Sequence, residues 1–64
     1  MREQDLWARL NEQLGEGYAQ VWASMQALQD LDSRTVNQAI ADRVDFKTIW
    51  RACWRELELP FSER

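Results

Sequence analysis

Apolar residues recur three and four positions apart along most of the chain, and no run alternates as a half-buried strand would. At about 100° per residue, this spacing places apolar side chains on one face of a helix, and that face packs against other helices. The sequence therefore predicts an all-α fold with a single small helical domain over residues 1–64. Breaks in the pattern divide it into a compact bundle of four short helices, over about residues 4–14, 17–30, 36–43 and 46–57.

The first two predicted helices are separated at Gly15, because a left-handed glycine commonly follows the last turn of a helix. Leu31 lies off the apolar stripe of the second helix, so this helix is predicted to end near residue 30. Ala19 and Ala23 lie beside that stripe as small residues that allow close helix approach. The predicted core face comprises Leu6, Trp7, Leu10 and Leu14 in the first helix and Tyr18, Val21, Trp22, Met25 and Leu28 in the second.

Local start signals mark the last two helices. Thr35 followed by Gln38 fits a capping box, and Asp45 is a good N-cap for the fourth helix. Val44 before that cap can meet Ile49 in a hydrophobic staple. Over residues 35–51 the last two helices are therefore predicted to be arranged like a helix-turn-helix.

The fourth helix carries a basic stripe, defined by Lys47, Arg51 and Arg55, with Trp54 at its rim. An edge tryptophan beside arginines has the composition of a protein-binding hot spot, so these four residues form the candidate interaction surface. The plain structural alternative is a solvated face, with some charges paired to acids of the first half and Trp54 closing the core.

A nucleic-acid surface is the other interpretation of the basic stripe, because arginine and lysine bind phosphates and base edges. Three observations oppose it. Arg43 stands where the tight turn usually has glycine, the chain has a net charge of −3, and no asparagine or glutamine accompanies the stripe to bind adenine. Only weak, non-specific phosphate contacts are expected.

Composition points away from catalysis and from metal or cofactor binding. Cys53 is the only cysteine and there is no histidine, so neither a disulfide nor a structural zinc site is expected, and Cys53 is predicted to be buried. No glycine-rich phosphate loop or nucleophile with an evident base occurs, so no enzyme activity is expected. The opening MREQDLW lacks the features of a signal peptide and no stretch is long enough to span a membrane, which predicts a cytoplasmic protein.

The segment SRTVNQAIADRVDFKTIWRACWRELELP resembles the pattern GRTxxQAIxxGVxxxxVWRAxCxxFxVP of the DUF3046 family, small actinobacterial proteins of unknown function. In the second half the similarity lies in Arg34-Thr35, Gln38-Ala39-Ile40, Val44, Trp50-Arg51-Ala52 and Leu59-Pro60. In the first half it lies in the opening MR and in Leu14-Gly15 followed by Tyr18-Ala19. Arg43 replaces the family's usual glycine, and Asp32-Ser33 stand near a usual Gly-Gly. The resemblance covers nearly the whole chain and implies a setting near recombination and repair genes, but no mechanism.

The sequence thus favours a non-enzymatic cytoplasmic protein-interaction module that uses the exposed face of its last helix and binds an unidentified protein partner. The alternative is a weak nucleic-acid-binding, helix-turn-helix-like protein associated with recombination or repair. The chain is expected to be a monomer or a weak homodimer held by its aromatic rim.

Overall fold

The computed structural model describes residues 1–63, and within them the chain forms four α-helices and no strand. The bundle measures 26 × 24 × 20 Å along its principal axes. The predicted all-α bundle is confirmed, and three of the four helices begin and end within two residues of their predicted bounds. The helices are α1 (Glu3–Leu14), α2 (Glu16–Met25), α3 (Val36–Ala41) and α4 (Phe46–Glu56), with short 3₁₀ turns at Gln29–Leu31 and Phe61–Glu63.

All four helices contribute to one apolar core. Trp50 is the largest fully buried side chain, and the guanidinium of Arg9 lies over its ring, 5.6 Å from the centroid. The predicted burial of Trp22, Trp50 and Cys53 is confirmed. The buried core comprises Leu6, Leu10, Ala19, Trp22, Ala23, Leu28, Leu31, Val36, Ala39, Ile49, Trp50, Ala52 and Cys53.

The predicted end of the second helix near residue 30 is wrong, because α2 ends at Met25 and the backbone is already extended at Gln26. Leu28 then bonds to the returning chain: its N–H donates to the Arg34 carbonyl across 2.9 Å, and its carbonyl accepts from the Ser33 N–H across 3.0 Å. This local hairpin lets both Leu28 and Leu31 enter the core, which a continued helix would not allow for Leu31.

The predicted inner face of α2 is wrong in part. Trp22 is buried as expected, but Tyr18, Val21 and Met25 are 57%, 49% and 74% exposed. The fully buried residues beside Trp22 are instead the small Ala19 and Ala23. Only Gly15 separates α1 from α2, and two helices joined so tightly approach closely where their side chains are small. The bulkier residues of α2 are therefore turned outward.

The predicted caps of α3 and α4 are confirmed. The Thr35 hydroxyl accepts from the Gln38 N–H at 3.1 Å while the Gln38 amide oxygen accepts from the Thr35 N–H at 2.9 Å. The Asp45 carboxylate accepts from the Thr48 N–H at 3.2 Å. These bonds satisfy backbone donors that a helix start leaves without partners, and so they fix where both helices begin.

Helix α3 ends in a Schellman motif built on a left-handed arginine. Arg43 has φ +61°, its N–H donates to the Ile40 carbonyl, and the Val44 N–H donates to the Ala39 carbonyl, both across 3.0 Å. Helix α4 ends in the same way at Glu58, with φ +53°. Since glycine is the residue that adopts this conformation freely, both ends carry backbone strain.

Candidate interaction surface on the last helix

Helix α4 is strongly two-sided. Ile49, Trp50, Ala52 and Cys53 are buried, and this orientation leaves the basic stripe of Lys47, Arg51 and Arg55 exposed to solvent. The Asp45 cap sets the register, because it fixes the first helical residue at Phe46. The three basic side chains follow one another at one-turn intervals, about 6 Å apart along the axis.

Trp54 lies half-buried at the rim of that stripe, where the C-terminal segment packs against it. Its indole N–H donates to the Pro60 carbonyl across 3.0 Å. Its ring meets Phe61 edge to face, with centroids 6.3 Å apart and planes at 83°. The indole is therefore held in one orientation by residues that follow α4, and the sequence did not indicate this partner.

Arg55 pairs with Asp30, which lies in the 3₁₀ turn after α2. The guanidinium and the carboxylate are 3.3 Å apart, and the two side chains are 70% and 37% exposed. The sequence left open that some basic residues of the stripe pair with acids of the first half, and Arg55 does so. A pair this exposed contributes little to stability and leaves most of the guanidinium open to solvent.

A depression of about 260 Å³ lies between the 3₁₀ turn and α4. It brings together three of the four predicted site residues, and Lys47 lies outside it, one turn before Arg51. Guanidinium groups donate in a planar fork that suits carboxylates and phosphates, while the indole offers an apolar face. The lining comprises Asp30, Thr48, Arg51, Ala52, Trp54 and Arg55.

A model of the family described as protein of unknown function (DUF3046) matches residues 1–62 of the chain. The chain belongs to the DUF3046 family. The resemblance stated from the sequence is thereby confirmed, and it extends over nearly all 64 residues. No curated protein and no solved structure matches the chain. The family description names no activity.

The DUF3046 chain has a second exposed surface that the sequence prediction missed, the α2 face, defined by Tyr18, Val21 and Met25. Together with Trp22 and Gln26 these residues line a shallow depression of about 370 Å³. The signal was present in the sequence, since α2 is apolar on two sides, one with alanines and one with bulky residues. A helix that is apolar beyond one stripe has more surface to bury than one neighbour covers.

Reactive groups are scarce in the described part of this DUF3046 protein. Burial raises the pKa of the Cys53 thiol from 9.0 to about 12, with a backbone hydrogen bond acting in the opposite direction, so the thiolate is strongly disfavoured. Over residues 1–63 no three histidine, cysteine or acidic side chains are grouped to hold a metal ion. Within the same residues no helix has the length and apolar character needed to cross a membrane.

Proposed function

We propose that this DUF3046 protein is a non-enzymatic, cytoplasmic protein-interaction module that binds a protein partner through the α4 surface, defined by Lys47, Arg51, Trp54 and Arg55. The observation that carries the proposal is the shared depression beside Asp30, in which two arginines flank a tryptophan. Tryptophan and arginine are enriched among the residues that dominate binding energy, especially where they border a pocket.

The order of Trp54 favours binding as well. Its bond to Pro60 and its contact with Phe61 hold the ring before any partner arrives. Immobilising a flexible side chain on association costs about 0.5–1.5 kcal/mol in conformational entropy. A side chain that is already ordered loses less. Arg51 is exposed at the same depression and can turn its donors toward a carboxylate of the partner.

Arg51→Glu tests the proposal more cleanly than a change at Trp54, because Trp54 also holds the C-terminal segment. The immobilised protein is used to capture partners from a native lysate, and the charge reversal is expected to abolish capture of at least one protein. Arg2→Glu is the matched control, since it makes the same charge change at an exposed arginine that does not line the depression. Identical capture by the unchanged protein, Arg51→Glu and Arg2→Glu would exclude the α4 surface.

Weak nucleic-acid binding, in a recombination or repair setting, is the second candidate function. The favouring observation is that Lys47, Arg51 and Arg55 are all exposed on one helix at one-turn intervals. Contacts to phosphates release counterions, so this function predicts an affinity for duplex or single-stranded DNA that falls steeply with salt. Binding that is absent at low salt, or that does not respond to salt, would remove this candidate.

A further inference from the structure

The α2 face has the properties of an interaction surface in its own right. Tyr18, Val21 and Met25 are about half to three-quarters exposed, although each is apolar over most of its area. They follow one another at helical spacing, so they form a continuous stripe rather than scattered single residues. Contiguous apolar surface rimmed by polar residues is typical of a site that another molecule covers.

The distribution of charge indicates what can cover this stripe. Glu16 is the only charged residue of α2, and it lies about 200° around the helix from Tyr18. The stripe itself is uncharged, so two copies of a chain with net charge −3 can bring these faces together without placing like charges in contact. The net negative charge of the chain therefore does not prevent a second copy from binding this surface.

The order of residues along the stripe fits antiparallel pairing of two α2 helices. When residues whose numbers add to 43 face each other, Tyr18 of one chain meets Met25 of the other, and Val21 meets the edge of Trp22. Methionine sulfur packs favourably against an aromatic ring. The same contacts are made twice about a two-fold axis, as a closed dimer requires.

Helix ends favour the same orientation. Gln26, at the end of the stripe, donates to the Glu56 carboxylate across 3.4 Å, so that end of the surface carries a negative charge beside the negative C-terminal end of α2. In an antiparallel pair this end faces the N-terminal end of the other α2, whose one charged residue, Glu16, lies on the side of that helix away from the stripe. A parallel pair would place the two negative ends together.

We propose that a second copy of this chain binds the α2 face, with the two α2 helices antiparallel and Val21 near the two-fold axis. A standard interface takes about 800 Å² from each partner, roughly a fifth of this chain's total surface of 4393 Å². Three partly exposed side chains supply less than that, so the dimer is weak and forms at high concentration. The depressions on α2 and α4 share no lining residue.

Sedimentation equilibrium over a concentration series up to the millimolar range tests the dimer. The expected mass rises from 7.6 kDa toward twice that value as concentration increases. Val21→Glu places two carboxylates near the two-fold axis, so the mass is expected to be that of one chain at every concentration. Because Val21 is exposed, the substitution is compatible with folding. Gln20→Glu adds the same charge one residue earlier on the polar side of α2 and is expected to leave the rise unchanged.

Amide chemical shifts recorded across the same concentration series locate the contact. Shifts are expected in α2 and in the residues beside Gln26, and they should vanish in Val21→Glu while the rest of its spectrum stays that of the folded chain. A single-chain mass at all concentrations would overturn the proposal. So would self-association that persists in Val21→Glu, because the contact would then lie elsewhere, for example at the aromatic rim around Trp54.

Discussion

The indole N–H of Trp54 donates to the carbonyl oxygen of Pro60 across 3.0 Å, and this bond ties the C-terminal segment back onto α4. Proline has no N–H and so makes no helical bond here, but its carbonyl lies where Trp54 can reach it because the chain reverses at Glu58. Phe61 then packs against the same ring. Trp54 therefore holds the C-terminal segment and also forms part of the α4 surface.

Trp54→Phe keeps an aromatic ring but removes this donor, so we expect the free energy of unfolding to fall by about 0.5–1.5 kcal/mol. Amide exchange in residues 57–63 should also accelerate. Urea unfolding and hydrogen exchange measure the two effects. Trp7→Phe is the matched control, because the Trp7 indole donates only to exposed Glu3 one turn away, at 3.2 Å. An equal loss in both variants would contradict a special role for the bond to Pro60.

Arg43→Gly should stabilise the protein. An L-residue in the left-handed region costs about 1–2 kcal/mol, whereas glycine adopts φ +61° without a steric penalty. The greater flexibility of glycine in the unfolded chain offsets about 0.5–1 kcal/mol, so the net gain is expected to be several tenths of a kcal/mol to about 1 kcal/mol.

Thermal unfolding of Arg43→Gly and Asp42→Gly compares two adjacent positions. Asp42 has φ −85°, where glycine relieves no strain and adds unfolded-state entropy, and the change also removes the exposed ion pair with Arg34 at 3.6 Å. Asp42→Gly should therefore lower the midpoint, while Arg43→Gly raises it. A lower midpoint in both variants would show that the Arg43 side chain contributes more than its backbone strain costs.

Sequence alone predicted those parts of the fold whose causes are local. The Thr35 and Asp45 caps depend on residues three positions apart, and both were found as predicted. The rotation of α2 was not predictable in this way, because its alanine side and its Val21 side are both apolar. Packing against α1 decides between them, and the pattern of a single helix does not contain that information.

In the candidate site as well, the sequence predicted local features but not a long-range contact. The four-residue spacing of Lys47, Arg51 and Arg55 correctly predicted a shared exposed face. The contact between Arg55 and Asp30 spans 25 positions and arises only because α2 ends at Met25, which lets the following turn approach α4. The sequence predicted that part of the stripe pairs with acids of the first half, but extending the second helix to residue 30 left the acid that does so, Asp30, unidentified.

Asp30→Asn should change stability by less than about 0.5 kcal/mol, because the pair with Arg55 is largely exposed and screened by solvent. Urea unfolding at low salt and at high salt provides the measurement, and any small loss should disappear at high salt. Leu31→Ala is the contrasting variant in the same turn. It removes a side chain that is only 5% exposed and should cost about 2–5 kcal/mol at either salt concentration. A large, salt-independent loss in Asp30→Asn would show that the ion pair holds the turn in place.

Cys53 is expected to lower the free energy of unfolding at alkaline pH. Its pKa is raised to about 12 in the folded chain from an ordinary value of 9.0, so the unfolded chain releases the thiol proton first as pH rises. The contribution of this thiol to the free energy of unfolding is therefore constant below about pH 8. It falls between pH 9.0 and about pH 12, with a loss of about 1–1.5 kcal/mol by about pH 10. Urea unfolding across this range measures the slope, and the same series in Cys53→Ala subtracts every other titrating group. If the slopes of the two proteins were equal, the folded thiol would have to ionise as readily as the unfolded one, in conflict with its burial in the core.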